Sequence, residues 1–106
     1  MLIEERNYVL QGDYTPGMYF EVYRQTGAQE LQKKVLGNLL GAFVTEIGEL
    51  NALVHLWGYD SFEERARRRA LLAAEPVWQD YLVKIRPMLR SMTNRLLVPT
   101  DYSPIR

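Results

Sequence analysis

Leu53-Val54-His55-Leu56-Trp57-Gly58-Tyr59-Asp60 runs straight into Ser61-Phe62-Glu63-Glu64, and the join between these two stretches decides the fold. Side chains alternate across a strand. Val54, Leu56 and Gly58 therefore form one small apolar face, and His55, Trp57 and Tyr59 form the opposite face of large rings with polar edges. The second row contains the only histidine of the chain and one of its two tryptophans. Such a row suits either the lining of a small-molecule pocket or the filling of a subunit contact. The serine and the second glutamate that follow make a capping box, so the strand passes directly into a helix.

Working outward, residues 39–47 predict a preceding strand, with Gly48-Glu49 as a tight connection that makes the two an antiparallel hairpin. Residues 2–10 predict a first strand closed by the turn signal Gln11-Gly12-Asp13. Thr15 then caps a helix that has Pro16 at its first position, where the missing N–H loses no partner. Met18 with Val22 and Tyr19 with Tyr23 give that helix an apolar stripe, and Gly27 kinks it before Ala28, Leu31 and Val35. The helix opened by Ser61 is expected to run to about Ala74. Its predicted buried stripe is Phe62, Ala66, Ala70 and Ala73, with Arg65, Arg68 and Arg69 on the side of Leu72. Glu75-Pro76 opens a further helix with Trp78, Tyr81, Leu82 and Ile85 on one stripe, ending near Pro87. Residues 93–98 predict the last strand, and the remainder is a tail.

The order β-α-β-β-α-β is the ferredoxin-like arrangement of the α+β class: a four-stranded antiparallel sheet with helices on one face, here as a single domain over residues 1–106. Such a sheet leaves one face bare. Apolar and aromatic residues occur at both faces of the strands, which predicts a homodimer formed through the sheet, for which a symmetric contact is the simplest solution.

Composition narrows the function. Thirteen basic and thirteen acidic residues cancel, which removes the electrostatic case for nucleic acid or an anionic membrane. No apolar run reaches the ~18 residues of a membrane span. The absence of cysteine excludes disulfides, thiolate metal sites and cysteine nucleophiles. The opening Met1-Leu2-Ile3-Glu4-Glu5-Arg6 lacks the order of a signal peptide, so the expected location is cytoplasmic.

Several stretches together resemble the NIPSNAP family: Leu36-Gly37-Asn38-Leu39-Leu40-Gly41, Thr45-Glu46-Ile47-Gly48, Leu50-Asn51, Val54-His55-Leu56-Trp57, Tyr59-Asp60, the run Arg65 to Arg69, and Trp78, Tyr81 and Ile85-Arg86-Pro87. The resemblance covers nearly the whole chain, and the Glu-Ile-Gly turn with the His-Leu-Trp strand is its most specific part. It implies a dimeric α+β barrel in which two sheets close face to face, and a chemistry that is largely unassigned. Animal members are linked to mitochondria and vesicle traffic; this chain shows no mitochondrial leader, so those roles are not carried over. The same resemblance places the fold beside small dimeric barrel enzymes, including cofactor-free monooxygenases, an analogy of fold rather than of function.

His55 is the natural acid–base candidate because its ordinary pKa lies near neutrality; a structural or interface role is the competing reading. Trp57 and Tyr59 suit a flat ligand, with Glu4, Arg6 and Tyr8 of the first strand supplying charge or hydrogen bonds. Glu46 is a candidate base beside His55, or an anchor at a dimer edge. Arg67 and Arg68 offer a seat for a phosphate or carboxylate, against the plainer reading of a solvated face paired with Glu63 and Glu64. Tyr19, Tyr23, Trp78 and Tyr81 read as core. No metal site is expected from one histidine without cysteine. No cofactor is expected either: the glycines do not sit in a strand-to-helix phosphate loop, and no Gly-x-Ser-x-Gly elbow is present. Two functions remain: a homodimeric protein that binds a small hydrophobic or aromatic ligand or mediates an interaction, and a cofactor-independent enzyme, monooxygenase- or isomerase-like, that uses His55 in a pocket of the barrel.

Overall fold

The computed structural model describes residues 1–106. Strand β1 spans Leu2–Leu10, β2 Leu39–Val44, β3 Ala52–Tyr59 and β4 Leu89–Leu97. Helices α1 (Pro16–Gln25) and α2 (Ala28–Leu36) join β1 to β2. Helices α3 (Phe62–Ala73) and α4 (Pro76–Ile85) join β3 to β4, with a 3₁₀ turn at Arg86–Met88. The sheet is antiparallel in the order β2-β3-β1-β4, which is the ferredoxin-like topology.

Local chemistry sets the helix boundaries. Thr15 Oγ1 accepts from the Met18 N–H at 3.2 Å and Pro16 opens α1. Gly27 stands at φ +83°, a left-handed conformation that breaks the first helical region into two. Ser61 Oγ accepts from the Glu64 N–H at 3.1 Å, but only this half of the capping box forms. The Glu64 carboxylate is taken instead by Arg67 and Arg68, each at 2.7 Å.

The row Leu53, His55, Trp57, Tyr59 faces the helices and is buried. In register with it stand Tyr8, Arg6 and Glu4 of β1, which therefore share that face. Tyr8, Tyr19, Tyr23, Trp57, Tyr59, Trp78 and Tyr81 join Leu10, Leu36, Leu53, Leu72, Ile85 and Met88 in one core. The tyrosine hydroxyls are paired within it: Tyr19 with Tyr81, and Tyr23 donating to Gln32 Oε1. The bare face carries Ile3, Glu5, Asn7 and Val9 opposite Gly58, Leu56, Val54 and Ala52. Phe43 stands beside Val54, and Leu97 beside Ile3.

Three expectations are corrected. Strand β2 stops at Val44, because the connection to β3 is a seven-residue loop (45–51) rather than a tight turn. Gly48 (φ +126°) and Asn51 (φ +60°) take the chain out of extended geometry there. Strand β4 begins at Leu89, four residues before the predicted start at residue 93, because β1 offers partners along its whole length. Helix α3 turns its other side inward. Phe62, Ala66, Ala70 and Ala73 are exposed, Leu72 is buried, and Arg65, Arg68 and Arg69 are half-buried against the rest of the molecule. A stripe of one phenylalanine and three alanines has little area to bury. The arginine stems cover more apolar surface, and Arg65 reaches the Glu4 carboxylate on β1 beneath.

Candidate functional site

Glu4 lies at the centre of the inward-turned arginines and is fully buried. Its Oε2 accepts from Arg65 Nη2 at 2.6 Å, Asn94 Nδ2 at 2.7 Å and Arg6 Nη1 at 3.0 Å. Burial alone pushes this carboxyl up. The hydrogen bonds from Arg65 and Asn94 and the charges of Arg6 and Arg65 outweigh it and hold the group below its ordinary value. The second carboxylate oxygen, Oε1, is buried without a partner. Arg6 also donates from Nε to the Tyr8 hydroxyl at 2.8 Å.

Beside this cluster is a cavity of about 150 Å³. Arg6, Arg69 and Gln32 are its polar lining. Tyr8, Tyr19 and Tyr81, with Trp78, Leu82, Ile85 and Met92, form the rest of its wall. Arg69 makes no ion pair, and its Nη1 is buried without a hydrogen-bond partner. Burial and the charge of Arg6 lower its pKa. The cavity is about the size of one that takes up benzene in an engineered apolar core.

The structure brings Arg6 and Tyr8 to this cavity and sets His55, Trp57 and Tyr59 behind it, outside the lining. His55 is 3% exposed, and its ring packs against Tyr8, Tyr23 and Trp57 at centroid distances of 5.9, 6.0 and 6.3 Å. Burial and the charge of Arg6 lower its pKa to about 4, so the imidazole is neutral at pH 7, and Nδ1 has no partner. Glu46 is exposed on the β2–β3 loop, beyond the end of the strand that pairs with His55. Arg67 and Arg68 bind Glu64. Arg68 also donates to the Val35 carbonyl at 3.1 Å, and its guanidinium lies where a Cβ on Gly37 would stand. These two arginines hold α3 to itself and to the end of α2.

Sequence reasoning missed Arg65, Arg69, Asn94, Gln32 and Met92 as site residues. A signal existed for two of them: Arg65 and Arg69 are spaced i,i+4 on the helix side that carries Leu72.

The family model for NIPSNAP matches residues 3–104. The chain belongs to the NIPSNAP family. It is 40% identical over 68 residues to a NipSnap homolog of Dictyostelium discoideum, covering 64% of this chain and 30% of that protein. It spans 18–36% of the length of the curated NipSnap proteins of Dictyostelium discoideum, Caenorhabditis elegans and Drosophila melanogaster. A NIPSNAP family protein of Agrobacterium tumefaciens superposes with TM-score 0.92 at 41% identity, over 99% of this chain and 98% of that one. A second, described as a NIPSNAP family protein with unknown function, gives 0.91 at 40% identity over 100% and 94%. An antibiotic biosynthesis monooxygenase superposes with TM-score 0.64 at 14% identity over 94% and 99%, a likeness of fold alone. The NIPSNAP domain thus shares the α+β fold of that monooxygenase. No helix of it is long and apolar enough to cross a membrane.

Proposed function

We propose that this NIPSNAP domain is a small-molecule-binding module that works as a homodimer joined through the bare face of its sheet. The cavity between sheet and helices carries the reading. Aromatic rings and aliphatic side chains form most of its wall, with a few polar groups among them, which is the general make-up of a ligand pocket. At about 150 Å³ it suits a ligand with a single ring or a short chain, smaller than drug-sized molecules.

The dimer is supported by what the bare face exposes. Phe43 is 55% exposed beside Val54, Leu56 is half-buried, and a Glu5–Arg95 ion pair at 3.0 Å joins β1 to β4 on that face. A domain of this size buries only about two thirds of its unfolded surface, so covering this face adds stability.

The enzymatic alternative rests on His55, and the geometry does not favour it. The imidazole stands outside the cavity lining, and a pKa of about 4 makes it a weak base at neutral pH.

Native mass spectrometry of the purified protein tests both parts. The expected species is a dimer that retains or takes up a small aromatic probe such as phenylacetate. A clean monomer would overturn the dimer, and a dimer that takes up no probe would overturn the ligand cavity.

A further inference from the structure

We infer that the cavity selects an organic anion, a small carboxylate attached to an aromatic or aliphatic body, with Arg69 as the residue that receives the carboxylate. This rests on the cavity being a ligand site.

The first observation is a charge imbalance. Arg6, Arg65 and Arg69 cluster around the single carboxylate of Glu4, leaving an excess of two positive charges in a half-buried region. Two other acids of β1 and α3 are paired elsewhere: Glu64 with Arg67 and Arg68, and Glu5 with Arg95 on the opposite face of the sheet. Buried charges without counter-charge are costly, so a molecule that supplies one is favoured.

The second observation is where the free capacity lies. Glu4 engages Arg6 and Arg65 through one oxygen, and Arg6 spends its Nε on Tyr8. Arg69 spends nothing. It is one of the cavity's lining residues, and its buried Nη1 has no partner. A guanidinium with a free edge matches a carboxylate in two parallel hydrogen bonds. Tyr19, Tyr81 and Gln32 add further polar side chains to the lining.

The third observation is the rest of the wall. Trp78, Leu82, Ile85 and Met92 offer no donors to a second anionic group, so an apolar body fits behind the carboxylate. Inorganic phosphate or a polyanion would leave these apolar side chains without contacts.

Calorimetric titration with three probes separates the possibilities: phenylacetate, its neutral counterpart phenylacetamide, and inorganic phosphate. The expected result is that phenylacetate binds roughly tenfold or more tightly than phenylacetamide, as a charge-assisted hydrogen bond implies. Arg69→Gln should remove that preference while Arg67→Gln, on an exposed side chain, keeps it. Because Arg69 holds no partner and lies near Arg6, the Arg69→Gln protein should melt no lower than the parent, which separates lost affinity from lost fold. Equal binding of phenylacetate and phenylacetamide would overturn the anion assignment and leave the cavity as a ligand site. Phosphate binding as tightly as phenylacetate would overturn the organic acid. Binding of none of the probes would overturn the cavity as a ligand site altogether.

Discussion

Arg65 and Glu4, 61 positions apart in sequence, meet at 2.6 Å beneath α3 and tie that helix to β1, one of the two inner strands of the sheet. This pair turns the arginine side of α3 inward. The Glu4 carboxylate is fully buried, so removing its charge leaves Arg6, Arg65 and Arg69 without any compensation. Glu4→Gln is expected to cost about 3–5 kcal/mol in denaturant unfolding. Adding Arg65→Met should recover part of that loss, since apolar replacement of both partners of a buried pair is often tolerated.

The reversed face of α3 gives a second prediction. Phe62 is 57% exposed and Leu72 is fully buried. Phe62→Ser should change stability by less than about 0.5 kcal/mol, and Leu72→Ala should lower it by about 2–5 kcal/mol. Thermal unfolding of the two variants checks this. A large loss at Phe62 would restore the apolar stripe that periodicity suggested.

That helix also shows where sequence reading stops. Period-two alternation over residues 53–59, the cap at Ser61 and the Thr15-Pro16 start are local signals, and they led to the right topology. The start of β4 was hidden because Leu89-Arg90-Ser91-Met92 follows Pro87 closely and carries no clear strand signal of its own, whereas pairing with β1 makes it strand. The inward face of α3 was hidden because it depends on Glu4, a residue on another element. Arg6 and Tyr8 were legible as site residues because they alternate onto the face of His55. Arg69 was not, because only tertiary packing shows that its partner is missing.

His55 makes stability depend on pH. Its pKa is about 4 in the folded chain against 6.5 for the ordinary residue, so between these values the unfolded chain binds a proton that the folded one does not. Stability therefore falls as pH drops from about 6.5 towards 4, by on the order of 3 kcal/mol for this group. Glu4, whose pKa is lowered, adds its own loss at more acidic pH, as its carboxylate protonates. His55→Leu should flatten the unfolding midpoint between pH 6.5 and 4.5 and leave the more acidic limb in place. An unchanged profile would contradict a buried neutral imidazole.

The bare sheet face predicts the behaviour of one further variant. Leu56 stands on it beside Glu5 and Gly41. Leu56→Glu should convert a dimer to a monomer in sedimentation velocity while the far-UV circular dichroism is kept. A parent protein that sediments as a monomer would contradict assembly through the sheet.

The cavity between sheet and helices is proposed to receive a ligand. Methyl NMR of the parent protein titrated with phenylacetate tests it most directly. The prediction is saturable shifts at Met92, Ile85 and Leu82, which line the cavity. Shifts confined to Val54 and Leu56 on the opposite face, or no shifts at all, would contradict it.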